Sequence, residues 1–165
     1  MYQAVRSPAV FAAVALLAWG CSEPTAPAGK RVVGILEWIQ DAPRASLAAL
    51  PETDPGATVL VAPDTVQAGV PFTATVTTIG PSICWKADGA EVRAEAAAAV
   101  VTPYDLTAES EEVACGSALV TLPREVELRF TQRGQAVIRV TGRKVVGQDI
   151  QGGSQVTVEK RVHVR

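Results

Sequence analysis

Three cysteines, a single histidine, and a few clusters of carboxylates and arginines are the side chains in this 165-residue chain whose types and spacing could do chemistry. His163 falls on the polar face of an alternating segment, and no Gly-x-Ser-x-Gly elbow accompanies it, so it reads as a solvated strand residue rather than a catalytic base. Neither paired histidines nor Cys-x-x-Cys spacing is present, so no metal site and no cofactor are expected. Glu109, Glu111 and Glu112 would suit calcium only if carbonyls and carboxylates converged. Without an Asp-x-Asp-x-Asp pattern they read as a solvated acidic loop. Glu125/Glu127 and Glu91/Glu95 are the remaining carboxylate pairs. At i, i+2 on a strand Glu125 and Glu127 stand about 7 Å apart, within the spacing of inverting glycosidases, and Glu91 and Glu95 share strand parity at i, i+4, but exposed strand carboxylates are ordinary surface residues. Arg139, Arg143, Lys144, Arg161 and Arg165 fall on two neighbouring strands. There Arg139, Arg143, Arg161 and Arg165 are candidates for an anion-binding stripe facing lipid phosphates or acidic polysaccharide. The alternative is cross-strand pairing with Glu159, Glu91 and Glu95, worth under ~1 kcal/mol per exposed pair. No aromatic residues interleave with these cations, which argues against nucleic acid as a partner.

The cysteines take their meaning from where the chain is placed. Arg6 precedes an apolar run from Ala9 to Gly20, about thirteen residues with Cys21. A helix of that length spans roughly 20 Å, too short for the ~30 Å core of a bilayer but suited to the centre of a signal peptide. Leu17-Ala18-Trp19-Gly20-Cys21 resembles a bacterial lipobox. That resemblance implies cleavage before Cys21, a diacylglyceryl group on its sulfur, and anchoring to a membrane. Ser22 in the next position implies the outer membrane, in the cell envelope. The alternative is an ordinary secreted chain cut nearby, with Cys21 left as a free thiol. Residues 1–20 are therefore read as a signal peptide and 21–30 as a flexible, proline-containing tether, which at ~3.1 Å per residue reaches roughly 30 Å. In an oxidising compartment the even pair Cys84 and Cys115 is most simply a disulfide, and closing a loop of about 32 residues stabilises by roughly 3.5 kcal/mol in the chain-entropy model.

Without residues 1–20 the chain has 145 residues, enough for one domain, 31–165, that buries about two-thirds of its unfolded surface. Charge is uneven. Cys21–Val120 holds five Lys/Arg against thirteen Asp/Glu, and Thr121–Arg165 nine against four. The simplest consequence is mutual neutralisation within one body.

Period-two alternation dominates this body and predicts strands with one buried face. Phe72, Ala74, Val76 and Thr78 alternate with threonines, and Val126, Leu128 and Phe130 alternate with charged residues. Ala136, Ile138 and Val140 form a third inner face, and Val156, Val158, Val162 and Val164 a fourth, in which Lys160 marks a bulge or an edge. Weaker strands are expected at Val32–Ile39, Thr58–Ala62, Ile83–Trp85, Ala90–Arg93 and Ala98–Thr102. Single helical turns are conceivable at Ala94–Ala99 and Ser46–Leu50. Turns are expected at Pro63-Asp64, Ala68-Gly69, Gly80-Pro81, Asp88-Gly89, Arg133-Gly134 and Gly152-Gly153.

Short strands without a long amphipathic helix point to an all-β sandwich, with a barrel as the alternative. Residues 62–76 and 130–140, each a turn followed by alternation, resemble the opening and the penultimate strand of bacterial immunoglobulin-like domains. The resemblance covers roughly residues 57–165 and implies an antiparallel sandwich of about 7–9 strands. Cys84 and Cys115 are too close in sequence for the bridge found in antibody domains, so the disulfide is placed between the third strand and a crossover loop, clamping residues 101–106. The resulting expectation is a lipid-anchored, non-enzymatic binding or scaffolding module. Its partners would be the membrane and another envelope protein or an acidic glycan. The rival is a small envelope enzyme acting on glycans.

Overall fold

The computed structural model describes residues 29–39, 59–108, 115–147 and 149–165. Residues 1–20, read above as a signal peptide, Cys21, most of the segment 21–30 read as a tether, Ser46–Leu50 and the acidic cluster at Glu109, Glu111 and Glu112 lie outside the described residues.

The ten elements among these residues are all strands: β1 (Gly29–Val33), β2 (Ile35–Ile39), β3 (Leu60–Val61), β4 (Thr65–Val66), β5 (Phe72–Gly80), β6 (Lys86–Ala94), β7 (Ala98–Ala108), β8 (Val120–Leu128), β9 (Gly134–Val146) and β10 (Ser154–Val164). They form one continuous, curled, mixed sheet. The all-β expectation holds. The expectation of purely antiparallel pairing does not, because β4–β10, β2–β9 and β7–β9 pair in parallel. The chain descends β7, runs up β8 beside β5, and descends again along β9 next to β7. Two strands that descend side by side after such an excursion must be parallel.

The four alternating segments lie in β5, β8, β9 and β10, and their apolar positions point inward. Ala74, Val76, Val126, Leu128, Phe130, Ala136, Ile138, Val140, Val162 and Val164 fill the main core, joined by Leu36, Val66, Ala99 and Val101. Phe130 is fully buried and tilts against Phe72 with ring centroids 5.6 Å apart. Full burial of such a side chain stabilises by about 1.5–3 kcal/mol. Lys160 occupies an inward position without disturbing the β9–β10 register. Its ammonium reaches Asp64 at 2.8 Å, which is the edge arrangement rather than a bulge.

The weaker strands differ more from expectation. The segment read as one strand, Val32–Ile39, is two strands broken at Gly34. β7 and β9 run together over Ala98–Val101 and then splay. β1 enters antiparallel along β7, the chain turns at Gly34, and β2 leaves parallel to β9. Gly34 thus sits where the fork divides: its N–H donates to Pro103 O at 2.8 Å, and its carbonyl accepts from Arg143 N–H at 2.9 Å. A Cβ there would come within 2.4 Å of Thr78 Cγ2, so only glycine lets the chain through. Ile83–Trp85 is a turn in which Trp85 N–H donates to Ser82 O, not a strand. Asp88-Gly89 is not a turn between strands. It is a bulge inside β6, where the register shifts between Ala87 and Ala90 and Gly89 takes φ +74°. Ala94–Ala99 forms no helical turn. Glu95 N–H bonds Ala98 O and closes a β-hairpin.

Successive up-and-down strands give the body two ends. At the hairpin end the β6–β7 loop accepts hydrogen bonds from Thr131 and Gln132 at Ala96 O. At the loop end β5, β7 and β9 finish, β6, β8 and β10 begin, β1 enters opposite Ala108, and β2 stops opposite Val146. A second apolar cluster lies here. Ile35, Trp85 and Val145 are buried, with Trp38, Ile79, Leu122 and Ile150 packed against them.

Candidate functional site

The chemistry-bearing side chains that the fold brings together are not those the sequence singles out. Arg124, Asp105 and Thr78 meet between the main core and the loop-end cluster. Arg124 is 8% exposed, and Asp105 and Thr78 are fully buried. Arg124 Nη2 donates to Asp105 Oδ1 at 2.5 Å, to Thr78 Oγ1, and to Leu122 O at 3.1 Å. Its Nη1 donates to Tyr104 O and to Gly89 O at 2.9 Å. The Thr78 hydroxyl donates in turn to Asp105 Oδ1 at 2.9 Å.

One guanidinium therefore joins β5, β6, β7 and β8. β6 and β8 share no backbone ladder, so Arg124 supplies a direct polar link between these two edges. The bulge at Gly89 makes that link possible because it turns a carbonyl out of the β6–β7 ladder. Arginine suits the place because its planar fork holds several donors in fixed directions.

Arg143 stands on the other side of the fork. Its Nε donates to Val33 O at 2.7 Å, and its Nη1 donates to Ile150 O at 3.1 Å and Gly152 O at 3.3 Å. It thereby holds the β9–β10 loop against β1. Asp105 Oδ2 and Arg143 Nη2 are both buried without a hydrogen-bond partner. Burial pushes the Asp105 carboxyl above the usual carboxylate range, opposed by the hydrogen bond and charge of Arg124, by Thr78 and by Arg143. Burial likewise lowers Arg143, and the charge of Asp105 opposes that shift. Such a centre is shielded from solutes, and apart from Asp105 Oδ2, Arg124 Nε and Arg143 Nη2 its polar groups are spent on one another and on the protein's own backbone. Its chemistry is to hold strands.

Cys84 and Cys115 form a disulfide with Cα atoms 5.6 Å apart. Cys84 lies in the turn before β6 and Cys115 precedes β8, so the bridge spans two loop-end connections. The enclosed residues 101–106 belong to the regular strand β7. Beside the bridge, Ile83 N–H donates to Gly116 O at 3.3 Å.

The proposed stripe of cations is divided by its environment. Arg139 pairs with Glu159 at 2.6 Å, directly across β9 and β10. Arg143 points into the fork, Lys144 pairs with Glu37 at 2.9 Å, and Arg161 and Arg165 are exposed. Glu91 approaches Arg31 at 3.7 Å rather than the stripe, and Arg31 also pairs with Asp88 while lying over the Tyr104 ring. Glu95, Glu125, Glu127 and His163 are exposed. Among the described residues no three His, Cys, Asp or Glu side chains gather as metal ligands would.

Parity was the signal that could have found the buried centre. Extending the inward positions Val126 and Leu128 back along β8 reaches Arg124, and counting on from Val101 along β7 reaches Asp105. An inward arginine and an inward aspartate in one core need each other. Compared with known proteins, the chain matches no family model, no curated protein and no solved structure.

Proposed function

We propose that the chain is a lipid-anchored, non-enzymatic module of a bacterial cell envelope, which binds or scaffolds a partner from the outer membrane. The observation that carries this reading is the Cys84–Cys115 bridge, since such bonds persist in oxidising compartments. The apolar leader ending at Cys21 agrees with it. The body is read as an immunoglobulin-like sandwich. The support is that β3 pairs with β5 while β4, just after Pro63-Asp64, pairs with β10, so one short segment serves both faces around the main core. The glycan-enzyme alternative draws no support from Glu125/Glu127 and Glu91/Glu95, which are all exposed.

The test is fractionation and intact mass of the wild type and of Cys21→Ala. The reading expects membrane-bound wild type that begins at Cys21 and carries acyl chains, and loss of both features in the variant. An unacylated chain with its leader intact in the cytosol would overturn it. Affinity capture from detergent-solubilised envelope, with the acylated protein as bait, then addresses the partner.

A further inference from the structure

The exposed apolar side chains are unevenly distributed. Of the seven large ones among the described residues, Ile39 (42%), Ile83 (59%), Leu119 (47%) and Val146 (51%) stand at the loop end, while Val61, Val70 and Val92 are scattered elsewhere. Ile39 and Val146 are register partners at the ends of β2 and β9. Ile83 and Leu119 flank the disulfide, in the turn before β6 and just before β8. Behind them lies the cluster containing Trp38 and Trp85. Isolated apolar residues on a surface mean little, whereas several at one end, backed by tryptophans, mark a contact surface.

Two further observations say what that surface meets. The chain enters the body at this same end, where Gly29 pairs with Ala108. Cys21 precedes Gly29 by eight residues, so even a fully extended chain places this end within about 28 Å of a lipid on Cys21. Lys30 and Lys86 are exposed here, opposite Thr107 and Leu106, and neither has an ion-pair partner among the described residues. Apolar side chains flanked by lysines, with indoles behind them, fit the boundary between phospholipid headgroups and acyl chains.

We infer that the loop end docks on the phospholipid surface, with Ile39, Ile83, Leu119 and Val146 entering the headgroup boundary and the hairpin end pointing away from the membrane. This rests on the lipid-anchor reading for its geometry. In that orientation the hairpin end is the surface left open to a partner.

The mature chain carries its own probes, because cleavage before Cys21 removes Trp19 and leaves only Trp38 and Trp85, both at the loop end. The acylated protein is reconstituted into phosphatidylethanolamine/phosphatidylglycerol vesicles, with and without lipids brominated near the headgroup end of the acyl chains. The inference expects brominated lipid to quench Trp emission. It expects Ile83→Asp with Leu119→Asp to abolish the quenching while the protein still floats with the vesicles. Wild type that floats with unchanged emission overturns docking and leaves the anchor reading intact. The apolar residues are then covered by residues 40–58 or by a second copy. If the purified chain carries no acyl group, the anchor reading fails, and the same vesicles are added to the soluble chain. Quenching then sustains docking, and unchanged emission overturns it.

Discussion

The main core and the loop end are held together by different physics. In the main core, stability is spread over many equivalent contacts. Val76, Val101, Phe130, Ile138 and Val140 are all fully buried, and each sits where strict alternation places it. At the loop end the chain must close a fork, tie two edges and support several connections with few apolar residues. It relies there on single contacts of high value: the Arg124 centre, the Cys84–Cys115 bridge and Arg143 over the β9–β10 loop. Losses in the first region are local and graded, whereas in the second one change disconnects several elements.

The largest expected effect follows from removing Arg124. Arg124→Met strands a buried carboxyl and deprives three backbone carbonyls and the Thr78 hydroxyl of their shared donor, so stability in urea unfolding falls by about 3–5 kcal/mol. Removing the disulfide as Cys84→Ser with Cys115→Ser costs roughly 3.5 kcal/mol on the loop-closure model, read from the same unfolding curves. Trimming the main core is milder: Ile138→Val lowers stability by about 0.5–1.5 kcal/mol. The smallest effect belongs to the half-exposed Arg139–Glu159 pair. Arg139→Ala changes stability by less than ~1 kcal/mol, and the difference shrinks as salt is raised.

Two aspartates sharpen the same contrast through pH. Asp105 has its folded pKa raised by burial, so the native state holds that proton more tightly than the unfolded chain does. Its contribution to stability is fully present below the ordinary carboxylate pKa and is lost as pH rises through the raised folded value. Asp64 is the opposite case. Its hydrogen bond and charge pairing with Lys160 lower its pKa, so its contribution is present above the ordinary value and lost as pH falls through the depressed one. Unfolding curves measured across pH for Asp105→Asn and Asp64→Asn should lose slopes of opposite sign.

How much could be read in advance follows the same division. Alternation located β5, β8, β9 and β10 and assigned their inner faces, because a period of two survives wherever one side of a strand meets core. Lys160 showed as the one inward exception, and its stem lets the charge leave the core. The fork at Gly34 was not legible, since nothing in Val32–Ile39 indicates that β7 and β9 diverge above it. Gly89 looked like a turn residue because a bulge and a turn demand the same positive φ. Arg124 and Asp105 each continued a readable alternation, but charged residues on an inner face make sense only as a pair. Their pairing depends on a mixed topology that no local pattern encodes. Arg143 shared strand parity with Arg139 yet turned into the fork, where it donates to three loop carbonyls and to Val33 O.

The central claim is that Arg124 and Asp105 act as one unit that ties four strands, and a double-mutant cycle in urea tests it most directly. Arg124→Met, Asp105→Leu and the double variant are compared with the wild type. The account predicts that the double variant is more stable than the sum of the single losses implies, with a coupling of up to about 3 kcal/mol. Single losses that add within about 0.5 kcal/mol would contradict it.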